Sequence, residues 1–374
     1  MKHPLAIAIQ ALLIVTLACG ALSRASTPGP IPTPEDSVFD ESRTLYGFFP
    51  SPPEATLESV LATIQDIGKH GDLLLAQRNI PWNDFRKSPE ADSQEIVDIR
   101  NLMILARQNN LEAIFIVDPL NGLNRREFSG LPFGWQASFA NPDVRTAFTN
   151  YTLRLVRELH PRYLGLASEI NTYNDFHPDD FKNYLSLYQE VYAKVKAESP
   201  DTKVFVTFQW EELNNLIPGV PGNTQPYQTR WEQIEVFEPQ LDLWVISSYP
   251  FTVFQDGKGI PADYYTPLLA RTDKPLAVAE GGFTSKDVGA FHGKPEDQVA
   301  YLNAIHNQIG GRLAFWIYLL LSDFNLESYK KMMREKGQDA DINTLGMFVS
   351  VGLRNADGTP KPALAVWDNF QNRP

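Results

Sequence analysis

From Thr44 onward, short apolar runs alternate with longer segments in which apolar residues recur at helical spacing. Each run has few polar interruptions, as expected for strands buried on both faces of a parallel sheet. Tyr46–Phe49 is the first, followed by a helix near Ala55–Lys69. Asp72–Ala76 is the second, with a helix near Ser93–Asn109, and Glu112–Val117 the third, with a long helix from an Asn141-Pro142 start to Leu159. Tyr163–Ser168 precedes a helix near Pro178–Ala197, and Lys203–Phe208 precedes one near Tyr227–Phe237. Leu241–Ser247 leads to a short helix near Ala262–Ala270, Leu276–Ala279 to one near Pro295–Ile309, and Leu313–Tyr318 to a closing helix near Pro362–Asn369. Several helices open at Asn-Pro or Pro, which suits the first helical position because proline lacks only an N–H that would be unpaired there. Eight such units over about 330 residues predict an α/β fold, a (β/α)8 TIM barrel. A doubly wound open sheet is the alternative, but no glycine-rich phosphate loop follows the first strand. With no repeat and no internal linker, residues 43–374 read as one domain.

The N-terminus follows another pattern. Residues 1–26 read as a signal peptide: a short basic start, then an apolar run from Leu5 to Ala18 that is too short to span a bilayer comfortably. The run ends in TLACG, which resembles a bacterial lipobox with Cys19 as the lipidated residue, although Thr16 stands where an aliphatic residue is usual. An ordinary secretory signal cut near Ala25 is the other reading. Residues 27–42, rich in Pro, Ser and Thr, lack the apolar content to fold and read as an extended tether.

Composition narrows the chemistry. The formal net charge of −12 argues against nucleic acid or anionic headgroups as partners. Cys19 is the single cysteine, so intrachain disulfides and thiolate metal sites are excluded. The histidines show no metal-ligand spacing, and no metal or cofactor is expected.

Active sites of such barrels lie at the C-terminal ends of the strands. The seventh run ends in Glu280-Gly281-Gly282 and the fourth in Ser168-Glu169, so two separate buried strands each end in a carboxylate. A charge there costs free energy unless it is used. The same rim holds Gln77, Arg78, Asn79, Trp82, Asp118, Asn171, Tyr173, Gln209, Trp210, Ser248, Tyr249, Trp316 and Tyr318. Indole faces suit the C–H faces of sugar rings, and amides suit hydroxyls. Glycoside hydrolysis needs little more than a pair of carboxyl groups.

In this combination the chain resembles the clan A retaining glycoside hydrolases, closest to the endo-β-1,4-galactanase type. ASEIN around Glu169 is similar to the galactanase GNEIN, SYPF at 248–251 to the Tyr-Tyr-Pro segment, and GLRNADGTPKPA at 352–363 to the family-typical ending. The resemblance implies that Glu169 is the acid/base, Glu280 the nucleophile and Tyr249 its hydrogen-bonding partner. It places Ser168 where the clan usually has an asparagine for the sugar 2-hydroxyl, and Trp316 at the floor of a sugar subsite. Arg78 is the candidate for the second-strand arginine that supports the nucleophile. Asn171, Gln209, Trp82 and Trp210 complete the expected substrate-binding set. The reading is of a secreted, lipid-anchored bacterial hydrolase at the cell surface or in the periplasm, monomeric by default, that cleaves β-linked polysaccharide or oligosaccharide by double displacement. The alternative is a surface-anchored carbohydrate-binding protein on a glycosidase scaffold with little or no turnover.

Overall fold

The computed structural model of the chain describes residues 43–223, 225–335 and 342–372. The signal segment, Cys19 and the tether lie outside the described residues. The barrel strands, numbered in chain order, are β1 (Leu45–Phe48), β2 (Leu73–Asn79), β3 (Glu112–Asp118), β4 (Tyr163–Gly165), β5 (Lys203–Phe205 and Thr207–Gln209), β6 (Trp244–Ser248), β7 (Leu276–Gly281) and β8 (Leu313–Tyr318). All neighbouring pairs are parallel, and β8 pairs with β1. The break in β5 at Val206 is where the ring closes: its first half pairs with β4 and its second with β6. The fold is therefore a (β/α)8 barrel.

Boundaries depart from the sequence expectation where pairing overrides composition. β2 runs on through Gln77, Arg78 and Asn79 because each continues the ladder with β3. The expected helices near 227–237 and 262–270 shrink to Glu232–Glu235 and Pro267–Arg271. The helix from Asn141-Pro142 is as expected, with the Asn141 side chain accepting from the Asp143 amide at 3.0 Å. An unexpected feature follows β3, an antiparallel hairpin of Leu120–Asn121 and Asn124–Phe128.

The interior alternates as a two-residue period demands. Phe315 of β8 points into the barrel, with ring centroids 5.0 Å from Tyr163 and 5.8 Å from Phe205. Trp316, one residue on, therefore faces outward and meets Trp367 of the closing helix Pro362–Phe370 at 5.2 Å. Trp367 also donates its indole N–H to the His70 carbonyl at 2.8 Å, tying the last helix to the first helical layer. Gly47 is required at the β1–β2 contact, where a Cβ would lie 2.3 Å from the Leu73 carbonyl oxygen.

Candidate active site

Glu169 follows β4 and begins the helix Ile170–Phe176 in the left-handed region, at φ 49° and ψ 45°. A non-glycine residue held there carries on the order of 1–3 kcal/mol of strain. Its amide is fixed by Thr207 Oγ1 at 2.8 Å, which locks the turn. Its carboxylate accepts from Ser247 Oγ at 2.5 Å and from Arg125 Nε at 3.3 Å.

Glu280 reaches the same space through an irregularity. Val278 pairs with Ile246 but Glu280 pairs with Ser247, so the strand carries an extra residue between them. This bulge shifts the alternation and turns the Glu280 side chain toward the interior, where Ser247 also points. The glycine that follows is sterically required, since a Cβ on Gly281 would sit 2.2 Å from the Tyr301 hydroxyl and 2.6 Å from the Ser248 carbonyl oxygen. Ser168 Oγ donates to Glu280 Oε1 at 2.7 Å and Tyr249 OH to Oε2 at 3.2 Å.

One guanidinium joins the two carboxylates. Arg125, on the return strand of the hairpin, contacts Glu169 through Nε, lies 3.8 Å from Glu280 Oε1 through Nη2, and pairs with Asp118 through Nη1. Asp118 is itself held by Gln77 Nε2 at 2.7 Å and by the Leu120 amide at 3.2 Å. Glu169, Glu280, Asp118, Arg125, Ser168 and Tyr249 are all 0% exposed, so the pair is sealed from solvent. The hairpin contributes to the seal, as Leu123 at its tip is only 6% exposed. His177 Nε2 meets the Arg126 carbonyl at 2.8 Å, the Arg126 guanidinium lies over the Phe176 ring, and Asn79 Nδ2 donates to the Leu120 carbonyl at 3.3 Å. Phe348 packs edge-on against Tyr249.

These surroundings set the protonation states. Burial raises the Glu169 pKa, the charge of Glu280 raises it further, and Arg125 and the Ser247 hydroxyl oppose the rise. Burial also raises Glu280, while Arg125, Ser168 and Tyr249 pull it back. Both carboxyls thus stay protonated to higher pH than an ordinary glutamate, and because they interact they release protons as a pair. Burial would lower the Arg125 pKa, but Asp118, Glu169 and Glu280 together raise it, and the cation persists.

Linkage makes folding stability depend on this protonation. The folded state holds protons that the unfolded chain has released above the ordinary glutamate pKa of 4.5. The stabilisation is full below that value and is lost as pH rises through the raised folded values. The unfolding free energy measured in urea should fall between about pH 5 and about pH 8, with Glu280→Gln removing roughly 1–3 kcal/mol of that fall. An unchanged pH slope in the variant would contradict the assignment.

Other expected residues lie elsewhere. Arg78 does not support Glu280. Gln77 occupies the inward position of β2, so Arg78 faces outward and pairs with Glu95 of the helix Gln94–Gln108 at 2.5 Å; Arg125 stands in its expected place. Trp316 is no sugar floor, being buried under the closing helix against Trp367 and Phe370. Trp210 is likewise buried, packed on Trp231 and Tyr265. Trp82 is 2% exposed and donates to the Ser129 carbonyl at 2.7 Å, so it braces the chain leaving the hairpin rather than offering a ring face. Asn171 exchanges hydrogen bonds with the Gln209 backbone, and the Gln209 side chain serves Glu211 and the Glu212 amide. Only Ser168 and Tyr249 of the expected accessory residues touch the pair. Sequence reasoning missed Arg125, Ser247, Thr207 and Glu211 and left Asp118 unassigned. The Asn121-Gly122 turn was the available signal for the hairpin. Among the described residues, no group of three or more His, Cys, Asp or Glu could hold a metal ion.

No family model matches the sequence, and no curated protein matches it. Solved structures do. An exo-β-1,4-mannosidase from an Opitutaceae bacterium shares 12% identity at a TM-score of 0.60, over 88% of this chain and 59% of that one. A fungal β-1,4-galactanase shares 13% at 0.52, over 87% and 94%, and xylanase 10B from Thermotoga maritima shares 11% at 0.59, over 89% and 96%. The chain thus spans less than two thirds of the mannosidase. At these identities the likeness is one of fold alone, the (β/α)8 barrel.

Proposed function

We propose that this chain is a retaining glycoside hydrolase in which Glu280 is the nucleophile and Glu169 the acid/base. One observation carries the reading: two buried carboxyls at the ends of β4 and β7 share the Arg125 guanidinium yet have different partners. Glu280 receives hydrogen bonds from Ser168, Tyr249 and, through its charge, the attraction of Arg125, all of which favour its ionised form. Glu169 lies beside that negative charge, which favours its protonated form. Divergent neighbours of this kind separate a base from an acid.

In the first step a Glu280 oxygen bonds to the anomeric carbon as the C–O bond to the leaving group breaks, and Glu169 gives its proton to the departing oxygen. In the second, Glu169 takes a proton from water as the water oxygen replaces Glu280 at the same carbon. Access for a sugar requires the hairpin 120–128 to lift, since it carries Arg125 across both carboxylates. A β-linked substrate is supported by the galactanase-like motifs and by the β-1,4-mannosidase and β-1,4-galactanase among the similar structures.

A second reading has its own support. The carboxylate pair is sealed from solvent, and Ser168 stands where the clan usually has an asparagine for the sugar 2-hydroxyl; both favour a carbohydrate-binding protein with little turnover. Reducing-end release from β-linked polysaccharides and aryl β-glycosides, by protein lacking residues 1–42, separates them. Release from at least one substrate is expected; silence across the panel with retained glycan binding would favour the second reading. The export and lipid anchoring read from residues 1–26 belong to the same proposal. Cys19→Ser should abolish palmitate incorporation in a bacterial host, and incorporation unchanged by the substitution would refute the anchor.

A further inference from the structure

We propose that Glu211 is a positioning residue that fixes the approach of Tyr249 to Glu280; the proposal concerns the same site and rests on the reading of Glu280 as nucleophile. Glu211 follows β5, is wholly buried, and lies on the side of β6 away from the carboxylate pair. Alternation along β6 defines that side. Ser247 points inward to Glu169, so Ser248 points outward, where its hydroxyl donates to Glu211 Oε1 at 2.7 Å.

The Glu211 carboxylate is fully coordinated. Oε1 also accepts from Tyr264 OH at 3.3 Å, and Oε2 accepts from Gln209 Nε2 at 2.7 Å and from the Tyr249 amide at 3.0 Å. All four donors are neutral, and burial raises the carboxyl pKa. A buried carboxylate among neutral donors is a costly way to close a strand end. What it holds gives it a use.

Residue 250 is a proline and has no N–H. The Tyr249 amide is therefore the last main-chain donor before the chain turns into the short helix Pro250–Thr252, and Glu211 is its acceptor. From that anchored backbone the Tyr249 side chain turns inward to place its hydroxyl 3.2 Å from Glu280 Oε2. The end of β6 is thus held from both faces, by Glu169 through Ser247 inside and by Glu211 through Ser248 and the Tyr249 amide outside. Releasing the outer hold moves the donor that favours ionised Glu280.

A carboxylate that merely knits the fold together would alter stability but not Glu280 selectively. The test is a double-mutant cycle between Glu211→Ala and Tyr249→Phe, read as the titration of Glu280 by carbon NMR of glutamate-labelled protein. Each single variant should raise the apparent Glu280 pKa in the same direction, and the double variant should go no further than Tyr249→Phe alone. Glu211→Gln retains an acceptor for the Tyr249 amide and offers an amide to the hydroxyls, so it should recover most of the native titration. Glu211→Asp, charged but a methylene shorter, should reproduce the alanine shift and replaces it if the alanine variant fails to fold. In turnover, Glu211→Ala should lower kcat about 10–100-fold with KM little changed, the loss expected for one hydrogen bond to a charged group. Additive shifts, or a native Glu280 titration in folded Glu211→Ala, would overturn the proposal. The titration needs no turnover, so an inactive chain with an intact cycle would refute the hydrolase reading and leave the positioning role standing.

Discussion

Glu280→Gln is expected to lower turnover on the order of 10⁴-fold while leaving glycan binding within a few-fold of the native protein. The amide is nearly isosteric with the carboxylate; its oxygen can accept from one of Ser168 and Tyr249, which hold the native side chain at 2.7 and 3.2 Å, and its NH2 can donate to the other hydroxyl. It cannot form a glycosyl ester. Glu169→Gln should behave differently. An aryl glycoside with an acidic phenol needs little proton donation, so its first step should survive and its second should become limiting. A stoichiometric burst of phenol followed by slow turnover is the expected signature, measured by stopped-flow absorbance. Equal losses in both variants on every substrate would mean that the two carboxyls do not divide the roles.

Arg125→Met should have the largest effect on the site as a whole. Arg125 is the cation that faces Asp118, Glu169 and Glu280 together, all of them buried. Removing one member of a buried ionic network commonly costs about 3–5 kcal/mol, because the remaining charges lose their partner. Loss of the cation raises the pKa values of the three carboxyls further, and their protonation avoids part of that cost. Folding stability in urea should therefore drop least at acid pH and most at alkaline pH. For activity, a nucleophile with a higher pKa ionises later, so the acid limb of the kcat/KM profile should move to higher pH. The sign matters, because Arg125 also rides on the hairpin that seals the site. Faster turnover in Arg125→Met at neutral pH would show that its main effect is to hold the site shut.

The barrel was legible in the sequence because buried parallel strands are nearly uniform apolar runs, and each of the eight expected runs overlaps a paired strand, with shifted ends. The carboxylate pair was legible for a related reason: Glu169 and Glu280 each interrupt an apolar run at the end that faces the mouth. What the sequence concealed is orientation and contact across the fold. Arg78 and Trp316 lie in the correct strands but one residue out of phase with the interior, and a two-residue period turns such a difference into the opposite face. Glu280 faces inward only because a bulge inserts a residue into β7, which no local pattern announces. Arg125 reaches the pair from a hairpin with a net sequence separation of 44 residues from Glu169, so its role depends on tertiary packing that propensity does not encode. Glu211 shows the same limit, as its meaning comes from a neighbouring strand that ends at a proline.

The most direct measurement is the anomeric configuration of the first product, followed by proton NMR on whichever β-glycoside the protein cleaves. Double displacement at Glu280 requires the β-anomer to appear first and mutarotate afterwards, with no β-product formed at comparable rate by Glu280→Gln. An α-anomer appearing first would contradict the account, since it demands a water between the carboxylates and a single displacement in place of a covalent bond to Glu280.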